Sequence, residues 1–123
     1  MAITPQDTQR EFAQAFNAGD IDSLMALYAR DATLVPQPGQ EVKGQAAIRE
    51  ALQAFLQLKG KIDLQPTAVV QSGDTALMRS HWRLAGTGPD GKPLTLEADS
   101  AEVAQRQADG RWVYVIDSPY GGA

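Results

Sequence analysis

The chain has 123 residues, 43% of them hydrophobic and 21% charged, with a formal charge of -4 from 15 acids against 11 lysines and arginines; this suits one folded domain spanning residues 1–123, with a core of its own. No cysteine is present and histidine occurs once, which excludes disulfides and thiol nucleophiles and argues against a metal site or any metal cofactor. Scattered cations in an acidic chain argue against nucleic acid, the lack of any apolar run near ~18 residues argues against a membrane span, and M-A-I-T-P-Q-D shows no leader pattern, so a cytoplasmic protein is the expectation.

Thr4-Pro5-Gln6-Asp7 reads as a helix start, with Thr as cap, Pro at the first helical position and an acid in the first turn. The helix is expected to run to about Asn17, with Phe12 and Phe16 on one stripe, and to stop at Asn17-Ala18-Gly19-Asp20. Asp20 then caps a second short helix in which Ile21, Leu24, Leu27 and Tyr28 recur at helical spacing. Ala32-Thr33-Leu34-Val35 is a short strand halted by Pro36-Gln37-Pro38-Gly39, and Val42 belongs to a small strand returning from that bend. Gly44 precedes a strong helix from Gln45 to about Leu58, apolar at Ile48, Ala51, Leu52, Phe55 and Leu58.

From Ile62 onward the pattern has period two. Ile62 to Val70 is a strand in which Pro66 marks an edge or a bulge. After the Ser72-Gly73-Asp74 turn, Ala76, Met78, Ser80, Trp82 and Leu84 share one face of the next strand, while Leu77, Arg79, His81 and Arg83 share the other. Gly86 to Gly91 is a hairpin loop, not a nucleotide fingerprint, because no βαβ unit surrounds it. Leu94, Leu96, Ala98, Ser100, Glu102 and Ala104 form one face of the third long strand, and Asp109-Gly110 suits the turn into the last. In that last strand Trp112, Tyr114 and Ile116 are expected on one face, and Val113, Val115 and Asp117 on the other. Helices followed by consecutive antiparallel strands indicate an α+β fold. Twist curls four long strands, with short edge strands beside them, into a half-cone whose concave face the helices cover, leaving a pocket between the layers.

Two acids on otherwise apolar strand faces are the most informative residues, since a carboxylate rarely goes inside without a partner or a use. A turn at Asp109-Gly110 pairs Glu102 with the end of the last strand, close to Asp117. Together in an apolar pocket they would split their pKa values and supply one neutral acid and one base, the catalytic pair expected here. The plainer account puts them at the rim in water, or in ion pairs with Arg79, Arg83 or Arg106. Trp82 shares its face with Met78 and Leu84, which places it inside and His81 outside; were that parity inverted, His81 would become the general base. Ser80 and Ser100 are expected to donate hydrogen bonds to a ligand. Phe12, Phe16, Tyr28, Leu52, Phe55, Met78 and Trp82 complete the expected pocket wall, while Tyr114 and Tyr120 close its mouth or sit at a dimer seam.

Three segments carry a resemblance: F-N-A-G-D-I-D-S-L-M-A-L-Y-A-R-D-A-T from Phe16 to Thr33, K-G-Q-A-A-I-R-E from Lys43 to Glu50, and E-V-A-Q-R-Q-A-D-G-R-W from Glu102 to Trp112. Through them the chain resembles the NTF2-like superfamily in its SnoaL-like or ketosteroid-isomerase-like branch. The resemblance implies a cone-shaped α+β fold, a deep apolar pocket for a small apolar molecule, no cofactor, and a homodimer through the outer face of the sheet. Aligned on N-A-G-D, the isomerases' oxyanion tyrosine falls on Phe12 and their general-base aspartate on Pro36. Their second oxyanion acid falls near Glu102, and Tyr28 matches a supporting tyrosine. Steroid isomerisation is therefore not expected. The readings that remain are acid–base chemistry on an apolar carbonyl or polyketide-like compound, ligand binding without turnover, and a dimerisation module.

Overall fold

In a computed structural model the described residues, 1–122, form three helices and six strands. Helix α1 (Pro5–Asn17) starts as the sequence suggests. Thr4 Oγ1 accepts from the Asp7 amide at 3.2 Å while Asp7 Oδ2 accepts from the Thr4 amide at 3.2 Å, a reciprocal capping box. Asp20 caps α2 (Ile21–Met25) by accepting from the Ser23 amide at 3.1 Å. This second helix is shorter than its apolar spacing suggests. The Tyr114 amide donates to Leu27 O at 2.7 Å, and that bond draws the chain out of the helix. Tyr28 therefore begins strand β1 (Tyr28–Gln37) instead of ending a helix.

Strand β2 (Gln40–Lys43) returns against β1, helix α3 (Gln45–Leu56) follows, and four strands complete the chain: β3 (Lys61–Ser72), β4 (Thr75–Thr87), β5 (Pro93–Arg106) and β6 (Trp112–Ser118). They make one curved, unclosed sheet in the order β2-β1-β6-β5-β4-β3. All neighbours are antiparallel except β1 and β6, which are parallel. Pro66 marks both features read from it: β3 is an edge strand, and its ladder slips between Pro66 and Ala68. Where α3 leaves toward β3, it crosses the end of β4 so closely that a Cβ on Gly86 would lie 2.6 Å from Leu58 O. Only glycine fits there.

The core lies between the helices and the concave face. Along β4, Ala76, Met78, Ser80, Trp82 and Leu84 are all buried, and the residues between them face outward. On β6 the strict alternation fails. The β5–β6 register pairs Glu102 with Asp117 and Val103 with Ile116, then slips so that Ala104 pairs with Tyr114. Val115 is the extra residue of a β-bulge. The bulge resets parity, so Tyr114 and Asp117 share the concave face; the expectation that they lie on opposite faces is overturned.

Candidate functional site

Between the concave face and the helices lies an apolar chamber with a mouth open to solvent. Phe12 and Phe16 reach it from α1, Leu52 and Phe55 from α3, Trp82 from β4, and Ser100, Glu102 and Asp117 from the last two strands. Glu102 is 6% exposed and Asp117 5% exposed, so neither stands in water at the rim. The turn at the end of β5 and the bulge together produce their pairing. Gly110 adopts φ 86° and the Gln107 amide donates to Arg111 O at 2.7 Å, closing the loop. The slip at Val115 then brings Asp117 instead of Ile116 opposite Glu102.

The two carboxyls have different partners. The Tyr28 hydroxyl donates to Asp117 Oδ2. Glu102 Oε1 is buried with no hydrogen-bond partner. Burial, and then the charge of Asp117, push Glu102 up to about 8, against the opposing pull of the Ser100 hydroxyl and Arg79. Burial raises Asp117 to about 6, and the Tyr28 hydrogen bond holds it lower than burial alone would. Asp117 consequently ionises first and Glu102 keeps its proton through neutrality. Burial raises both Tyr28 and Tyr114 well above the usual phenol range, so both remain hydroxyl donors. Their rings lie 5.5 Å apart, and Phe12 meets Tyr114 edge-on at 6.4 Å.

Three residues expected in the wall lie behind it. Tyr28 sits behind Asp117, with its hydroxyl spent on the carboxylate. Met78 packs under α1, where the Thr8 hydroxyl meets its sulfur at 3.7 Å. Ser80 is occupied by Ser100, with the two hydroxyls 2.8 Å apart and the Ser80 amide donating to Ser100 Oγ at 3.2 Å. His81 lies on the outer face, its Nδ1 2.8 Å from Asp99 Oδ1 and its Nε2 2.6 Å from Glu97 Oε2. Asp99, then Glu97, raise its pKa. It is remote from the chamber, so the inverted parity that would make it the base is overturned.

Leu84, expected on the inner face, and Tyr114, expected at the mouth or a dimer seam, also line the chamber, as do Leu34, Ile62, Leu64 and Pro119, which sequence alone did not mark. Ile62 and Leu64 follow from the period of β3. Tyr114 could not be placed without the bulge, nor Pro119 without the tail. That tail folds over the mouth: the Trp82 indole donates to Pro119 O at 2.7 Å, and Tyr120 stands edge-on to Trp82 at 5.6 Å. Among the described residues no group of three or more His, Asp or Glu side chains could hold a metal ion, and no helix is long and apolar enough to cross a membrane.

A family model for the SnoaL-like domain matches residues 9–115. The chain belongs to the SnoaL-like family. Solved structures support the NTF2-like architecture of this SnoaL-like chain. A ketosteroid isomerase-like protein from Erwinia carotovora atroseptica SCRI1043 superposes with a TM-score of 0.81 at 22% identity, over 92% of this chain and 89% of that one. A candidate dehydratase of the NTF2-like family from Streptomyces avermitilis gives 0.75 at 20% identity, over 93% and 92%. A candidate calcium/calmodulin-dependent protein kinase type II association domain from Thiobacillus denitrificans ATCC 25259 gives 0.75 at 23%, over 94% of each chain. An isomerase-like protein, a candidate dehydratase and a candidate association domain share this frame, so the fold alone does not specify an activity.

Proposed function

We propose that this chain takes a small apolar compound carrying a carbonyl group into its chamber and moves a proton on it, with Asp117 as base and Glu102 as acid. The observation that carries this reading is the unpartnered oxygen of Glu102, buried beside Asp117 on a side chain that lines an apolar hollow. A buried carboxyl lacking a protein partner leaves a hydrogen-bonding valence free for a ligand. Near neutral pH, the Asp117 carboxylate would withdraw a proton from the carbon beside the carbonyl. Glu102 would hold the oxygen as negative charge develops there, and the proton would return to carbon or oxygen. Phe12 and Pro36 offer neither the hydroxyl nor the carboxyl that steroid isomerisation uses at the matching positions, so that activity is not proposed.

The test is deuterium incorporation at the activated carbon of 2-tetralone in D₂O, followed by NMR against buffer alone. We expect exchange above background with a bell-shaped pH profile, rising near about 6 and falling near about 8. Asp117→Asn should abolish the excess and Glu102→Gln should remove the alkaline limb. Exchange at the buffer rate, or a profile untouched by both variants, would overturn the reading.

For the outer face we propose a second copy of this chain as the partner. Its support is an apolar row crossing four strands in register, Val70–Leu77–Val103–Ile116, with Val70 63%, Leu77 49% and Ile116 45% exposed. Sedimentation should show a dimer that Leu77→Glu dissociates, whereas a monomer at micromolar concentration would refute it.

A further inference from the structure

Beyond the chamber, a second hollow of about 1370 Å³, open to solvent, runs between α3 and the corner at Pro36 and Pro38. Phe55 lines both spaces. The tail divides between them as well: Pro119 lines the chamber and Tyr120 the groove. One half-buried phenylalanine is thus shared by the two spaces, and adjacent residues of the tail, held by the Trp82–Pro119 hydrogen bond, line one each. Val42, Ala51, Leu58 and Leu96 supply the apolar part of the groove lining, with Gln37, Gln40 and Glu50 as its polar part.

Charge narrows what the two neighbouring hollows can hold. The charged side chains lining the two hollows are Glu102 and Asp117 within, and Glu50 in the groove. All are acids; no lysine, arginine or histidine lines either space. A carboxylate or phosphate placed there would meet like charge without a counter-ion in a low-dielectric setting.

We propose that the ligand is an elongated, uncharged molecule whose carbonyl end reaches Glu102 and Asp117 and whose apolar tail passes Phe55 to lie in the groove between α3 and the Pro36–Pro38 corner. The proposal rests on the reading of the chamber as a ligand site. It excludes free fatty acids and phosphorylated carriers, and it favours long-chain ketones and chemically similar neutral compounds.

Two solvatochromic ketones separate these claims. Prodan carries a propionyl chain on a naphthalene head, and laurdan carries a dodecanoyl chain on the same head. A blue-shifted emission reports entry of either. Laurdan should bind roughly tenfold or more tighter than prodan, since even a few buried methylenes suffice for that ratio. Ala54→Trp places bulk in the groove from an exposed position on α3. It should erase the difference by weakening laurdan while leaving prodan as in the wild type. Dodecanoate should fail to displace laurdan. Equal affinity for the two dyes, equal weakening of both by Ala54→Trp, or displacement by dodecanoate would overturn the elongated neutral ligand while leaving the chamber reading intact. Binding of neither dye to the wild-type protein would overturn both.

Discussion

Strand β5 carries acids to both sides of the sheet. Glu97 and Asp99 point outward, and each meets the imidazole of His81. Glu102, a few residues further along, points inward to Asp117 and an apolar hollow. The outer acids stabilise a cation and stay in contact with water, which screens them. Among the described residues the inner pair has no ion-pair partner, and the pull of Arg79 on Glu102 is smaller than the push of burial, so at least one member keeps its proton. The same functional group thus becomes a surface ion-pair partner or a candidate acid catalyst according to which face of a pleat it occupies.

Tyr114→Ala breaks the inner side of this contrast most severely. The ring is buried beside the acids, against Tyr28 and Phe12, and its truncation leaves a cavity there. We expect a loss of about 3 kcal/mol or more in urea unfolding. Replacing the half-buried Val115 of the bulge by Ala should cost much less.

Next in size is the pH dependence of stability. Both inner carboxyls titrate higher folded than unfolded, so the folded chain binds more protons between about 4 and about 8. Stability is then fullest below the unfolded values and falls as pH rises through the folded ones. The decline should reach a few kcal/mol by pH 9, at about 1.4 kcal/mol per pKa unit. Glu102→Gln, which keeps the shape without the charge, should flatten the upper part of this decline. A wild-type curve that rises from pH 5 to pH 9 would contradict the inward placement of the pair.

Tyr28→Phe sharpens the contrast within the pair. It removes the donor to Asp117, so the Asp117 pKa should rise toward that of Glu102, and about 1.5–3 kcal/mol of stability should be lost near neutrality. Carboxyl NMR titration reads the first effect and urea unfolding the second. The smallest effect belongs to the outer cluster. Because Asp99 and Glu97 raise the pKa of His81, Glu97→Gln with Asp99→Asn should lower it. Added salt should produce part of the same fall in the wild type, with no measurable change in the unfolding midpoint for His81→Gln.

The parts of the molecule that sequence makes legible are those governed by local periodicity. The cap at Thr4, the one-sided stripe of α3 and the alternation of β4 each depend on neighbours along the chain. The opposition of Glu102 and Asp117 could be read because the bulge cancels the one-residue offset of the actual turn and restores the register that Asp109-Gly110 alone would set. What stayed hidden depends on partners distant in sequence. Tyr28 leaves its helical pattern because β6 offers Leu27 a hydrogen bond. Tyr114 turns inward because of a bulge for which Val115 carries no side-chain signature. The wall positions of Pro119 and Leu34 follow from how the tail and β1 close around the cone. Met78 and Ser80 show the same limit from the opposite direction. They have the right parity for the chamber, but α1 and Ser100 already fill the space in front of them.

The bond from the Trp82 indole to Pro119 O gives the molecule a built-in optical probe. Its ring forms part of the chamber wall and is held by a single carbonyl of the tail, with Tyr120 against its side. The chain's other indole, Trp112, is sealed under the Arg106 guanidinium at 5.8 Å and does not line the chamber. A compound entering the chamber as proposed would therefore change the emission of Trp82 and leave Trp112 as an internal reference, so the proposed binding can be tested without attaching a dye.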